Sequence, residues 1–195
     1  MSDITENRLK FRFAEGWKAI KFDDTDWHRV QMKSRLKAMD ILACHHQQHW
    51  WIEIKDCQGF ETENHPRLSP KESAEVDQTR GWVDAKGWKP IVSVSRKKAF
   101  IVDEVLEKLR DTLVSLTFAS RVNHPYLTVF SVSASPPEKL TIVLLLTWDI
   151  TDFKRFARLL QQKLTTALQP YGLQGLVVNE LMPVPGLDYT ISRTD

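Results

Sequence analysis

Between Leu140 and Trp148 the chain reads LTIVLLLTW, a run almost without polar side chains. Such a run predicts a strand covered on both faces, as at the centre of a parallel sheet. The segments on either side carry a different period. Val102, Val105, Leu106, Leu109, Leu113 and Leu116 recur at helical spacing and predict a long helix ending before Asn123-His124-Pro125. Thr151-Asp152 opens a second amphipathic helix, with Phe153, Phe156, Leu160, Leu164 and Leu168 inward and Gly172 beyond its end. GLVVNE, residues 175–180, then reads as a last short strand.

The N-terminal half alternates as strands do. Leu9 to Phe13 and Trp17 to Phe22 predict two short strands separated by a turn at Glu15-Gly16. Asp23, Asp24, Thr25 and Asp26 end the second and are suited to cap a short helix near Trp27. Leu36 to Cys44 and Trp50 to Cys57 are apolar and β-branched, joined by the polar residues His45 to His49, which predicts an antiparallel hairpin. From about 58 to 94 the text turns polar, broken by Pro66, Pro70, Gly81 and Gly87, and reads as a long insertion. The Pro-rich tail from about 182 is expected to be loosely ordered. The order of elements predicts one α/β domain over residues 1–195, an α+β mixed sheet flanked by helices with an N-terminal strand pair.

Composition narrows the picture modestly. The 195 residues are enough for one substantial core. A net charge of +2 is too small for a general nucleic-acid binder, so any such footprint must be local. No apolar stretch approaches the roughly 20 residues of a membrane span, and the N-terminal text is not a secretory signal. A cytoplasmic location is therefore expected, with Cys44 and Cys57 as unpaired strand residues rather than a disulfide across the hairpin.

The chemistry concentrates in the predicted hairpin. Alternation puts Glu53 and Lys55 on one face and Ile52 and Ile54 on the other. With the turn centred in His45 to His49, Asp40 falls opposite Glu53 or Lys55. Two carboxylates this close call for a cation between them, and Mg²⁺ or Mn²⁺ suits oxygen ligands. Asp40, Glu53 and the Ile54 carbonyl are the candidate metal ligands, with Asp40, Glu53 and Lys55 as the candidate catalytic set. Metal, positioned water and a nearby ammonium are the parts of phosphodiester hydrolysis. Two other acid-x-Lys triplets, Asp84-Ala85-Lys86 and Asp152-Phe153-Lys154, lack the apolar strand around them.

These residues resemble the signature of the PD-(D/E)XK nuclease-like superfamily, and more closely a set of small bacterial proteins within it. The resemblance is carried by Trp17, Ile20-Lys21-Phe22-Asp23-Asp24, then Lys37-Ala38-Met39-Asp40-Ile41, then Trp50-Trp51-Ile52-Glu53-Ile54-Lys55-Asp56. It continues through Asp103-Glu104-Val105, Lys108, Arg110-Asp111-Thr112-Leu113. It implies a restriction-endonuclease-like core, acids that bind Mg²⁺ and a Lys that assists the water. Met39 stands where the motif name has proline. The further acid that active members draw from an earlier helix has only Asp23, Asp24 and Asp26 as nearby candidates here, with Glu15 more distant. The resemblance thus implies a Mg²⁺-dependent nuclease acting on DNA or RNA, or a non-catalytic relative serving as a binding or interaction module.

Several features stay open at this level. Lys108 either pairs along its helix with Glu104 and Asp111 or reaches toward a phosphate. His45, His46 and His49 read as a solvated turn rather than a zinc site. Trp50 and Trp148 read as core. Trp82 and Trp88 either anchor the insertion or stack on bases beside Lys86, Lys89, Arg96, Lys97 and Lys98.

Overall fold

A computed structural model describes residues 2–131, 139–182 and 189–194. It is a mixed α/β structure with two sheets flanked by helices. Five strands form the main sheet: β3 (Lys18–Lys21), β4 (Ile41–His45), β5 (Gln48–Asp56), β6 (Lys139–Thr147) and β7 (Gln174–Val178), adjacent in that order. The first two pairings are antiparallel, and β5, β6 and β7 run parallel. Helices α3 (Ile101–Arg121) and α4 (Ile150–Leu168) supply the crossovers. A smaller antiparallel sheet, β1 (Ser2–Glu6), β2 (Leu9–Phe13) and β8 (Tyr189–Arg193), completes the strands.

The two faces of the main sheet bury different partners. Leu42, Trp51, Ile142 and Leu144 pack with Leu109 and Leu116 of α3 and Leu160 and Leu164 of α4. Ile41, Ile52, Ile54 and Val143 pack with Leu9, Phe11 and Phe13 of the small sheet. This double cover is why β6 is apolar at nearly every position, since no face of it meets water.

Buried polar groups tie the layers together at several points. Thr112 and Ser115 interrupt the apolar stripe of α3, yet both are buried. Thr112 Oγ1 accepts the Met39 N–H at 2.9 Å, and Ser115 Oγ accepts Trp27 Nε1 at 3.0 Å. Thr147, at the end of β6, donates to Asp56 and accepts the N–H groups of Cys57 and Gln58. At Gly175 an added Cβ would sit 2.6 Å from Leu168 and 2.8 Å from Leu164, so only glycine lets α4 approach β7 this closely.

Several expectations need correction. Leu9–Phe13 and the strand after Trp17 do not pair; they belong to different sheets, and the true N-terminal hairpin is β1–β2, turning at Asn7-Arg8. The short helix at Trp27 is a π-helical turn, Trp27–Met32. The β4–β5 turn is only His46-Gln47, with His46 at φ 52°, and His49 is a buried strand residue rather than part of a solvated turn. The insertion is not one loop, because it holds α1 (Glu61–Asn64), a 3₁₀ turn (His65–Leu68) and α2 (Ala74–Ala85). The tail, expected to be loose, returns as β8 and pairs with β2; residues 183–188 of it lie outside the described residues. Cys44 and Cys57 are buried free thiols. No described helix is long and apolar enough to cross a membrane.

Candidate functional site

Register brings the predicted acids together. Ile41 pairs with Ile52, so one step further Asp40 lies opposite Glu53. Asp40 is held at its backbone, where the Phe22 N–H donates to its carbonyl at 2.9 Å. Its side chain crosses to β5, where Oδ2 accepts the Ile54 N–H at 2.6 Å. Ile54 thus enters the site through its amide.

A cation does lie between the two carboxylates, and it belongs to the chain. Lys108 Nζ, delivered by α3, is 3.0 Å from Asp40 Oδ1, 2.8 Å from Glu53 Oε2 and 2.6 Å from Glu53 Oε1. Lys55 Nζ approaches the same Oε1 at 2.6 Å. Neither ammonium meets Oε1 along a hydrogen-bonding direction, so this fully buried oxygen has two close charges and no donated hydrogen. Lys55 also donates to Glu104 at 2.7 Å, and Glu104 in turn pairs with Arg67. Asp40, Glu53 and Glu104 therefore alternate with Lys108, Lys55 and Arg67, and their formal charges cancel.

Burial governs the titration of this cluster. Removal from water, then the nearby charge of Asp40, push the Glu53 carboxyl up to about 7 against the pull of both lysines. Burial also works against the Lys108 ammonium, but the charges of Glu53 and Asp40 and its hydrogen bonds to both outweigh it and raise its pKa. Glu104 is desolvated too, yet Lys55 and Arg67 hold it below the ordinary carboxylate value. Asp23 is pushed up to about 6 by burial, then by the charges of Asp40 and Glu6.

Of the secondary candidates, Asp23 lies near enough to Asp40 to feel its charge, while Asp24 is exposed and pairs with Lys21 and Arg29. Lys108 joins the acid pair, which is neither of the two roles expected of it, helical pairing with Glu104 and Asp111 or reach toward a phosphate. Glu104 and Arg67 were not anticipated. Glu104 lies one helical turn before Lys108, a spacing that puts both on one side of α3. Arg67 sits in the insertion and carries no local signal.

Lys55 and Arg67 also line a cavity of about 450 Å³, together with Arg8, Asn7, Asn64 and Asp56. Its three cations are each paired already, Arg8 with Asp56, Lys55 with Glu53 and Glu104, and Arg67 with Glu104. A larger cavity, about 580 Å³, lies between Trp148, Phe156, His65 and Arg155 and includes none of the site residues. Among the described residues no three His, Cys, Asp or Glu side chains are gathered to hold a metal ion. No family model, curated protein or solved structure matches this chain.

Proposed function

We propose that this chain is a metal-dependent phosphodiester hydrolase of the nuclease kind, with a PD-(D/E)XK-like site in a restriction-endonuclease-like core. The observation that carries the reading is that Asp40 and Glu53 share one cation position, with Lys55 beside it. The donors fit a hard divalent ion in kind, being carboxylate oxygens, and Glu53 Oε1 is a buried acceptor without a donated hydrogen. The fit requires the Lys108 ammonium to yield its place. Mg²⁺ or Mn²⁺ held by Asp40 and Glu53, with the Ile54 carbonyl as a further oxygen, would activate a water and offset charge on the phosphate.

The chain's own residues do the rest. Lys55 orients the attacking water. Lys108, released from the acids, points its ammonium toward the phosphate. The cation-lined cavity next to Lys55 accommodates the flanking backbone of DNA or RNA. Asp23 feels the charge of Asp40, but among the described residues it is not gathered with Asp40 and Glu53 into a three-acid group.

A second reading is a non-catalytic binding or interaction module with the same core. It is favoured by the charge balance of the cluster, in which Lys108 already neutralises the acid pair. Incubation with plasmid and single-stranded DNA or RNA and Mg²⁺ or Mn²⁺ separates the two. The hydrolase cuts, and Glu53→Ala and Lys55→Ala each abolish cutting. If wild type and both variants are equally inert and metal leaves the melting temperature unchanged, the hydrolase reading is wrong and the module stands.

A further inference from the structure

The insertion leaves several large apolar side chains exposed, and two of them, Trp82 and Trp88, meet each other. Helix α2 ends at a left-handed Gly87 (φ 71°), with the Gly87 N–H donating to the Asp84 carbonyl at 2.9 Å and the Trp88 N–H to the Val83 carbonyl at 3.0 Å. This is the pairing of a Schellman cap. It folds Trp88 back onto Trp82, with ring centroids 5.3 Å apart and planes at 89°. The cap does not bury them, for Trp82 is 51% and Trp88 44% exposed. In an edge-to-face pair the ring offering its edge keeps both faces uncovered by its partner. Ile91 and Val92, in the next turn, are exposed too.

The charge of the segment that follows this pair is one-sided. Residues 86–98 hold Lys86, Lys89, Arg96, Lys97 and Lys98 and no acid, in a chain whose net charge is only +2. Lys86 and Lys97 are exposed and have no ion-pair partner among the described residues. Lys89 and Lys98 meet Asp84 and Glu63 only at 3.5 Å, on the surface. Arg96 is committed to structure, donating to the Pro66 and Ser69 carbonyls and tying this segment to the turn that carries Arg67.

We propose that this arm binds single-stranded nucleic acid, with unpaired bases stacking on Trp82 and Trp88 and the backbone following Lys86, Lys89, Lys97 and Lys98. Open aromatic faces beside a run of cations are what a single strand requires, and a duplex, whose bases are already stacked, gains less from them. An anionic membrane is the poorer match. The helix leading into the patch carries Glu75, Asp77 and Asp84 against a single Arg80, and it buries only Val83. As the substrate of the acid site, this strand rests on the hydrolase reading; as a ligand of the arm, it rests on the insertion alone.

The test is binding of a fluorescent oligothymidylate to the full chain, followed by anisotropy at low salt in EDTA, where no cutting intervenes. The oligonucleotide binds, and more tightly than a duplex. A Trp82→Ala/Trp88→Ala variant, checked for native circular dichroism, binds about 10-fold more weakly or worse. Lys86→Glu/Lys97→Glu lowers affinity and reduces the slope of log K against log salt by about 1.4, at about 0.7 per lost phosphate contact. Absence of binding, or equal affinity in wild type and both variants, overturns the proposal. So does capture by phosphatidylcholine–phosphatidylserine vesicles without capture of the oligonucleotide. Binding through the tryptophans by a chain that cuts nothing with Mg²⁺ would refute the hydrolase reading and leave the arm intact. Cutting by a chain whose tryptophan variant binds normally would do the reverse.

Discussion

Glu53 is fully buried with two ammonium groups at 2.6 Å, whereas Trp82 and Trp88 stand half in solvent. The centre of the sheet holds charge where apolar groups belong, and the insertion holds aromatic rings where polar groups belong. The difference follows from cover. Helices α3 and α4 close over the β5–β6 face, so a charge placed there must bring its partners, and Lys55, Lys108 and Asp40 are those partners. Helix α2 buries only Val83, so nothing obliges Trp82 on it, or Trp88 just beyond its cap, to leave water. The two regions thus depart from the burial rule in opposite directions, one by a charge with its partners and the other by rings without cover.

The sharpest way to break that comparison is to make the same kind of change in each region. Trp51 is fully buried on the site face of β5, and Trp51→Ala should destabilise by about 3–5 kcal/mol in urea unfolding. Lys108→Met should cost about 3–5 kcal/mol, because it removes the cation shared by Asp40 and Glu53 and leaves only Lys55, which reaches Glu53. If the acid pair holds divalent ions, Mg²⁺ should raise the melting temperature of Lys108→Met more than that of wild type. An equal response in the two proteins would show that the ammonium does not occupy the metal's position.

The pH dependence of stability tests the same cluster with a smaller effect. The folded pKa of Glu53, about 7, exceeds its ordinary value of 4.5, so the native state holds this proton more tightly than the unfolded chain. Its contribution is full below about 4.5 and is lost as pH rises toward 7. Asp23 acts in the same direction up to about 6. Lys108 opposes neither, since its raised pKa keeps its stabilisation in place below its ordinary 10.5 and loses it only at higher pH. Denaturant midpoints should therefore fall between pH 4.5 and 7 in wild type and fall less in Glu53→Gln. Parallel curves would mean that Glu53 ionises as it does in the unfolded chain. The smallest effect is expected in the insertion, where Trp82→Ala should change stability by no more than about 0.5 kcal/mol. A loss comparable with that of Trp51→Ala would show that the arm is part of the core after all.

Much of the site was legible because it depends on strand periodicity. Glu53 and Lys55 share a face as alternation requires, and Asp40 meets them in one of the two registers the hairpin allows. The long helix, the buried parallel strand and the second helix were legible because their apolar residues recur at the period of the element. The second sheet was not. Tyr189–Arg193 has only the alternation of a short strand, and its pairing with Leu9–Phe13 spans nearly the whole chain. The helices of the insertion were masked by their polarity, since a segment that buries little shows little period.

The sequence alone determined which side chains share a face, because that follows from the geometry of a single strand or helix. It determined Glu53 beside Lys55, and the stripes of α3 and α4. Only the tertiary structure decided that Lys108 fills the gap between Asp40 and Glu53 and that Glu104 and Arg67 extend the cluster. It also decided that Trp82 and Trp88 stay in solvent. Those outcomes depend on how separately folded elements dock, which the packing of both sheet faces sets and no local period records.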